Sequence, residues 1–185
     1  MLSVKGVLKT VSSLLTMSEM VDYFNGENDE EFDKQILDDL VMAINMAVGN
    51  VAANYISVND KKTVNIKDGY VLFSDITDRP IIQIKKVKSG TVSKKFRVHN
   101  DGIELENGEY EIIYSYFPDM LTLDDNIDYF PSLSEMLLAY AVAAEYLFLK
   151  GQIDDAYVWD KRFKASLLSL QRPARNIIIP KRRWW

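Results

Sequence analysis

The sequence predicts an α+β fold that is mainly helical, in which an N-terminal and a C-terminal helical hairpin bracket a small antiparallel β insert. Three observations predict it. Apolar residues recur every three to four positions toward both ends of the 185-residue chain, as on one face of an amphipathic helix. The middle block is rich in β-branched and aromatic residues, which favour strands. Turn-forming residues separate the short apolar runs of that block.

The first predicted block, residues 1–56, is a helical pair. Its longer helix covers residues 32–56, where the three- and four-residue spacing places the apolar side chains on one face. A weaker helical pattern covers residues 7–24. Asn28 and Glu31 form a capping signal ahead of the longer helix.

The second predicted block, residues 57–118, is the β-rich insert. Strong turn signals occur at residues 67–69, 100–102 and 107–108. In the last strand candidate, alternate residues share one face, and these are Tyr110, Ile112, Tyr114 and Tyr116. A tyrosine row can be a stacking platform for nucleic acid. Because no basic residues flank this row, we expect it to be sheet core.

The third predicted block, residues 119–171, is a second helical pair that forms one core with the first. The block opens with an acidic linker, residues 119–131, and Ser132 with Glu135 forms a capping box at the start of its first helix. Gly151 separates the two helices, and Ile153 begins the second. Pro173 stops that helix, so residues 172–185 are predicted to be an extended docking tail.

The amino-acid composition excludes several classes of protein and several kinds of site. The apolar fraction of 48% and the charged fraction of 26% are those of a folded globular chain. A net charge of −5 does not favour a general nucleic-acid binder. The absence of cysteine excludes disulfides, thiolate metal sites and cysteine nucleophiles. We expect no membrane span or signal peptide, and the cytoplasm is the default location.

Motifs for catalysis are missing from the sequence, so we expect no enzyme, no cofactor and no metal. No phosphate-binding glycine loop, dinucleotide fingerprint or nucleophile elbow occurs. The pairs Asp124/Asp125 and Asp154/Asp155 could in principle bind a metal or act as acid and base. Acids near a helix start more often serve capping and the helix dipole. The single histidine, His99, is predicted to be an exposed hairpin residue.

Charge is distributed unevenly along the chain. Residues 19–39 contain nine acids and one lysine, whereas residues 172–185 contain five basic residues and no acid. Two interpretations stay open. The first is a solvated acidic face with a basic tail. The second is head-to-tail complementarity between copies, in which the opposite charges fix the register of an interface.

The helical blocks also carry a resemblance to a known family. Together with the β-rich insert, two stretches resemble the head-to-tail connector (adaptor) proteins of tailed bacteriophages: "DKQILDDLVMAINMAVGNVAANYI" and "SEMLLAYAVAAEYLFLKGQIDDAYVWDKRFKASLLSLQRPARNIIIPKRRWW". The resemblance covers nearly the whole chain and lies in the architecture, the helix-glycine-helix stretch and the "RRWW" ending.

The resemblance implies a structural virion protein. Copies would form a dodecameric ring that docks on the portal protein, contacts the next neck or tail component and continues the channel for double-stranded DNA, without specific DNA binding. The location would be the virion neck, and the host cytoplasm during assembly. The resemblance also implies a segment that docks on the portal or on a neighbouring subunit, formed by Ile177, Ile178, Ile179, Lys181, Arg182, Arg183, Trp184 and Trp185.

Physical chemistry agrees with a partner for this tail. Ordering ten residues costs on the order of 10–20 kcal/mol of backbone entropy. Burial of the two tryptophans and three isoleucines returns roughly 1.5–3 kcal/mol each, which does not clearly exceed that cost. We therefore expect the isolated tail to stay disordered. An exposed sheet edge that residues 176–179 could extend would add backbone hydrogen bonds. The alternative is a tail that folds back on its own domain.

Acidic residues are candidates for the channel surface, because repulsion of phosphates would let DNA slide. The candidates are Glu27, Asp29, Glu30, Glu31, Asp33, Asp124 and Asp125. The alternative function is a small DNA-binding regulatory protein that uses the basic tail on phosphates, and the affinity of such a protein for DNA would fall steeply with salt.

Overall fold

The computed structural model describes residues 2–27 and 33–171, which form six helices and nine strands. The helices are α1 (Val4–Leu14), α2 (Ser18–Asn25), α3 (Lys34–Asn54), α4 (Phe73–Ile76), α5 (Glu135–Leu149) and α6 (Ile153–Gln171). The strands are β1 (Leu2–Ser3), β2 (Asn59–Ile66), β3 (Tyr70–Leu72), β4 (Ile81–Ser89), β5 (Val92–Lys94), β6 (Arg97–Val98), β7 (Gly102–Glu104), β8 (Gly108–Tyr116) and β9 (Asn126–Ile127).

Helix α5 is the centre of the helical layer and packs against α1, α3 and α6. It is apolar nearly all round, with nine buried residues, as expected of a helix enclosed by others. Its alanines, among them Ala139 and Ala143 at 0% exposure, let neighbouring backbones approach closely. The helices from both ends of the chain therefore share one set of packing contacts.

The start of α5 differs from the predicted capping box. Its N-cap is Ser134, whose Oγ accepts a hydrogen bond from the backbone N–H of Leu137 at 3.2 Å. Ser132 is not the cap. The carboxylate of Glu135 instead accepts a hydrogen bond from the hydroxyl of Thr10 on α1, and so it joins two helices.

Two helices, α1 and α2, occupy the region where one was predicted at residues 7–24. They are separated by a short break in which Thr16 has a φ of 57°, a left-handed conformation that a helix does not continue through. The N-cap of helix α3 is Asp33, whose Oδ1 accepts a hydrogen bond from the N–H of Gln35 at 2.9 Å. The predicted capping pair Asn28 and Glu31 lies outside the described residues.

The strands form three antiparallel sheets. The four-stranded sheet has the order β2-β8-β4-β5, and the three-stranded sheet has the order β3-β7-β6. The pair β1–β9 forms the third sheet, with Leu2 opposite Ile127. Strand β8 is the inner partner of both β2 and β4, along eight and six residue pairs respectively.

The prediction of a mainly helical fold with a small β insert is wrong. About 25% of the structure is strand, and β2, β4 and β8 are eight or nine residues long. The predicted turn at 100–102 falls in the β6–β7 hairpin, whereas those at 67–69 and 107–108 carry the chain between sheets. Short-range turn signals identify the bends, but long strand pairing is a tertiary property that they do not encode.

The β region shares the hydrophobic core of the helices. The side chains of Ile66, Val87, Ile103 and Ile112 belong to the same buried cluster as those of α3 and α5. Tyr110, Tyr114 and Tyr116 are at most 7% exposed, so the prediction that the tyrosine row is sheet core is confirmed.

Candidate functional site

The predicted docking segment cannot be placed. Ile177, Ile178, Ile179, Lys181, Arg182, Arg183, Trp184 and Trp185 all lie outside the described residues. The described part of the chain stops at the last residue of α6. The docking role of this segment therefore stays a prediction.

The candidate channel acids divide into three groups. Asp29, Glu30 and Glu31 lie outside the described residues. Glu27 is exposed just after α2, and Asp33 is exposed while it caps α3. The carboxylate of Asp33 thus has a structural role beside any electrostatic one.

Asp124 and Asp125 are placed next to the start of α1. The Oδ1 of Asp124 lies 2.6 Å from the Nζ of Lys5. The Oδ2 of Asp125 accepts from the backbone N–H of Thr122 at 2.6 Å and from its hydroxyl at 2.7 Å. These two hydrogen bonds lower the pKa of Asp125. The carboxyl of Asp125 is therefore ionised at neutral pH.

A polar cluster lies at the tip of the three-stranded sheet. The hydroxyl of Tyr70 donates to Asp101 Oδ1 at 2.6 Å, and this hydrogen bond raises the pKa of Tyr70 to about 12. The Nε2 of His99 lies 3.1 Å from Glu104 Oε2. All four side chains are largely exposed or half-exposed, as predicted for His99. The first hydrogen bond joins β3 to the turn of the β6–β7 hairpin, and the second pairs His99 with Glu104 of β7.

The remaining acid pair, Asp154 and Asp155, is exposed in the first turn of α6, where negative charge stabilises the helix dipole. Within residues 2–27 and 33–171, no group of three or more histidine or acidic side chains is arranged to hold a metal ion.

Exposed apolar side chains on α3 are a feature that sequence reasoning missed. Met42 and Met46 are 52% and 42% exposed, on the side of α3 opposite its buried face of Leu40 and Ile44. Their four-residue spacing is visible in the sequence and could have revealed the second apolar face. Contiguous exposed apolar surface is typical of an interaction site.

Helix α6 has an exposed apolar face of its own. Tyr157 and Leu168 are 54% and 59% exposed, while Ala156, Phe163 and Leu167 are buried in the contact with α5. On another side, Trp159 packs on Tyr140 with ring centroids 5.6 Å apart. A groove of about 630 Å³ between the α1–α2 break and α6 has Trp159 in its wall.

Helix α3 is long and apolar enough to cross a membrane by length and composition alone. Its buried side carries Leu40, Ile44, Val48 and Val51, which belong to the common core and face α5. A core helix passes the same test, so this feature is weak evidence for membrane insertion.

Comparison with known proteins identifies no family. A scan against models of protein families finds no match, and a search of curated proteins finds no significant match.

Proposed function

We propose that this chain is a head-to-tail connector of a tailed bacteriophage, a structural subunit of a ring that docks on the portal and continues the DNA channel. The observation that carries the proposal is the pair of outward apolar helix faces, on α3 and on α6. They flank one helical core in a chain whose helical stretches resemble connectors. Because a ring subunit must meet a neighbour on each side, two different exposed faces suit it.

The proposal implies a defined set of partners. They are the portal protein, neighbouring copies in a dodecameric ring, and the next neck or tail component. Double-stranded DNA passes through the ring without specific binding, in keeping with the net charge of −5. The chain would act in the virion neck, and in the host cytoplasm during assembly. In this proposal it is not an enzyme and needs no cofactor.

The chemistry of residues 172–185 supports docking on a protein. Tryptophan and arginine dominate the energetics of protein interfaces, and the segment contains two tryptophans and four arginines. Its isoleucines and asparagine at 176–179 suit an added strand on a partner sheet. The last helix, α6, ends at Gln171, so a chain that ends there retains the sequence of every described element.

Co-sedimentation with the portal ring of the same genome tests the proposal. The full chain should pellet with the ring, and a chain that ends at Gln171 should not. A variant with Trp184→Ala and Trp185→Ala should lose binding, whereas Arg182→Gln with Arg183→Gln should mainly make binding less sensitive to salt. Failure of the full chain to pellet with the ring would overturn the proposal.

The alternative, a DNA-binding regulator, rests on the five basic residues of the same segment. A gel-shift titration with free duplex separates the two functions. A regulator binds duplex with an affinity that falls steeply as salt rises. A connector binds the portal ring and leaves free duplex unshifted.

A further inference from the structure

A groove follows one side of the α5–α6 hairpin. Near the end of α6 its volume is about 500 Å³, and near the start of α6 it widens into the groove of about 630 Å³ beside the α1–α2 break. Tyr140 in the wall of the first part contacts Trp159 in the wall of the second. We call the whole feature the hairpin groove, with a near part at the end of α6 and a far part at its start.

One side of α6 forms a wall along both parts. The wall residues follow one another at spacings of three or four residues, and they are Asp155, Val158, Arg162, Ser166 and Ser169. This spacing keeps them on one side of the helix, so the two parts are aligned along α6. Their centres are about nine residues apart, which is about 13 Å at 1.5 Å per residue.

The walls combine exposed apolar side chains with free hydroxyls. Met136 and Leu170 in the near part are 45% and 54% exposed, and Val158 in the far part is 50% exposed. In the part of the chain that the structure describes, the hydroxyls of Ser166 and Ser169 have no hydrogen-bond partner. They can therefore bond the main chain of a docked segment, while the apolar walls accept its side chains.

Residues 172–185 begin beside the near part of the groove. Leu170 lies in its wall, and α6 ends one residue later, at Gln171. Thirteen residues lead from Gln171 to Trp184, which is a reach of up to about 43 Å. Both parts of the groove therefore lie within reach of the segment that follows α6 in the same chain.

The apolar residues of this segment match the two parts in order and in spacing. From α6 onward, the isoleucines at 177–179 come first and Trp184 and Trp185 follow, just as the near part precedes the far part. Six residues separate Ile178 from Trp184, and they span up to about 20 Å when extended. This length covers the distance of about 13 Å between the two parts.

From these observations we infer that residues 176–185 dock in the hairpin groove of their own chain, with the isoleucines in the near part and the tryptophans in the far part. The wall of the far part suits an indole, because it contains the ring of Trp159 with the guanidinium of Arg162 4.7 Å from its centroid. Docking removes apolar side chains of the segment and of both walls from water at once.

The charges of the far part do not oppose this contact. Lys150 forms an ion pair with Asp39, and the wall that carries Arg162 also carries Asp155. The basic residues 181–183 fall between the two apolar clusters of the segment, so they need not enter either part. The contact is therefore mainly apolar, and the change of Arg182 and Arg183 to glutamine should leave it in place.

The inference goes beyond the proposed function. In the proposed connector the same segment docks on the portal, so the portal must first draw it out of the groove. Because the apolar burial of the segment alone does not clearly exceed the cost of ordering it, the contact is weak enough to be displaced.

Engineered cysteines test the contact directly, because the chain has none. The test variant combines Asn176→Cys with Ser166→Cys in the groove wall, and the control combines Asn176→Cys with Leu168→Cys. Leu168 is nearer to the segment in sequence but lies on another side of α6, since two residues rotate a helix by about 200°. With a short bismaleimide and peptide mapping, we expect the Ser166 variant to form the cross-link within one chain several-fold faster than the control. Equal rates, or a faster control, would overturn the inference.

Changes in the groove walls provide an independent readout. Met136→Gln with Val158→Gln makes both parts polar, and the control is Ile153→Gln with Leu168→Gln, which changes two exposed side chains outside the walls. Trypsin attacks the five basic residues of the segment when they are accessible. We expect the wall variant to lose the segment several-fold faster than the natural chain, and the control to match the natural chain. A wall variant with the natural rate would contradict docking in the groove.

The outcomes distinguish this inference from the proposed function. A fast Ser166 cross-link in a chain that does not pellet with the portal ring supports the groove contact and contradicts the portal role. A chain that pellets with the ring but shows equal cross-linking rates retains the portal role and overturns the inference. Cross-linked dimers whose yield rises with protein concentration would place the segment on another copy, which also overturns it.

Discussion

The side-chain amide of Asn45 forms two hydrogen bonds with the backbone of Leu121. Its Oδ1 accepts from the Leu121 N–H at 2.7 Å, and its Nδ2 donates to the Leu121 carbonyl at 3.0 Å. The same Nδ2 donates to the carbonyl of Val41 at 2.8 Å. Through this one residue, α3 holds the connection between the sheets and the C-terminal helices.

Replacement of Asn45 by alanine should therefore destabilise the protein by about 1–3 kcal/mol, because partly buried backbone groups of Leu121 lose their partner. Asn54, whose amide donates to the exposed side chain of Asn50, provides the control, and Asn54→Ala should change stability by less than about 0.5 kcal/mol. Urea unfolding of the three proteins measures the difference. Equal midpoints for the two variants would contradict the bridging role.

Two glycines should respond to alanine with opposite signs. A Cβ on Gly102 would lie 2.3 Å from the carbonyl oxygen of Val71, and the backbone of the neighbouring strand would have to move. We expect Gly102→Ala to destabilise by about 1–3 kcal/mol.

Gly49 lies inside α3, where the nearest atom to an added Cβ is 4.0 Å away. Gly49→Ala should stabilise by about 0.5–1 kcal/mol, because alanine loses less backbone entropy in a helix. Thermal melts of both variants test the pair. A stabilised Gly102→Ala variant would contradict the close strand approach at this position.

Asp33 should matter for stability through its role as the cap of α3. Asp33→Ala removes the acceptor for the Gln35 N–H and should cost about 0.5–2 kcal/mol, whereas Asp33→Ser retains a capping oxygen and should cost less. Circular dichroism during thermal unfolding gives the ranking. An Asp33→Ser variant as unstable as Asp33→Ala would argue that the charge of Asp33 matters more than the cap.

Electrostatic repulsion of DNA is best tested at acids without a capping role. Glu27→Lys together with Asp124→Lys should slow DNA ejection from assembled particles, because attraction to phosphates would replace repulsion. Both side chains are exposed, so stability should change little. The control is the neutral pair Glu27→Gln with Asp124→Asn, which should have a smaller effect. An unchanged ejection rate in the lysine variant would contradict the placement of these acids on the channel surface.

The ion pair between Asp39 on α3 and Lys150 at the end of α5 predicts a pH dependence. Hydrogen bonds from Lys150 and then Gln35 lower the pKa of Asp39. A lowered pKa contributes stability that is present above the unfolded value of about 3.9 and is lost as pH falls through the folded pKa. The hydrogen bond that Lys150 donates to Asp39 raises the pKa of Lys150, so the stability contributed by the charged lysine is lost only at strongly alkaline pH.

Asp39→Asn should accordingly lower stability by at most about 1 kcal/mol at neutral pH, because both side chains are partly exposed. The difference from the natural protein should be constant from about pH 5 to pH 9 and should shrink below about pH 4. Urea unfolding across this range provides the measurement. A difference that persists at about pH 3 would mean that the carboxylate acts through something other than its charge.

Local patterns in the sequence predict much of the helical part. The period of residues 36–52 identifies α3, and Ile153 is the first residue of α6, as predicted. The alternation through Tyr110, Tyr114 and Tyr116 predicts the buried face of β8. These features depend on residues that are close in sequence, and the spacing of the apolar residues shows directly which face is buried.

Features that depend on distant partners were not predictable in the same way. The pairing of Leu2 with Ile127 joins residues more than a hundred positions apart, and two-residue strands have no periodic signal. Ser134 and Ser132 are both capping residues by type, and the choice between them depends on where α5 meets α1. The exposed methionines of α3 are hard to identify from the sequence, because most apolar residues of this helix follow the spacing of its buried face.

The central position of α5 has a consequence for the order of events during synthesis. Helices α1 and α3 emerge from the ribosome before the helix that covers their apolar faces, and about 95 residues separate Asn54 from Leu149. At a translation rate of roughly 5–20 residues per second, α5 is synthesised about 5–20 seconds after α3. The speed of translation through the β region therefore sets how long the apolar faces of α1 and α3 remain uncovered by α5.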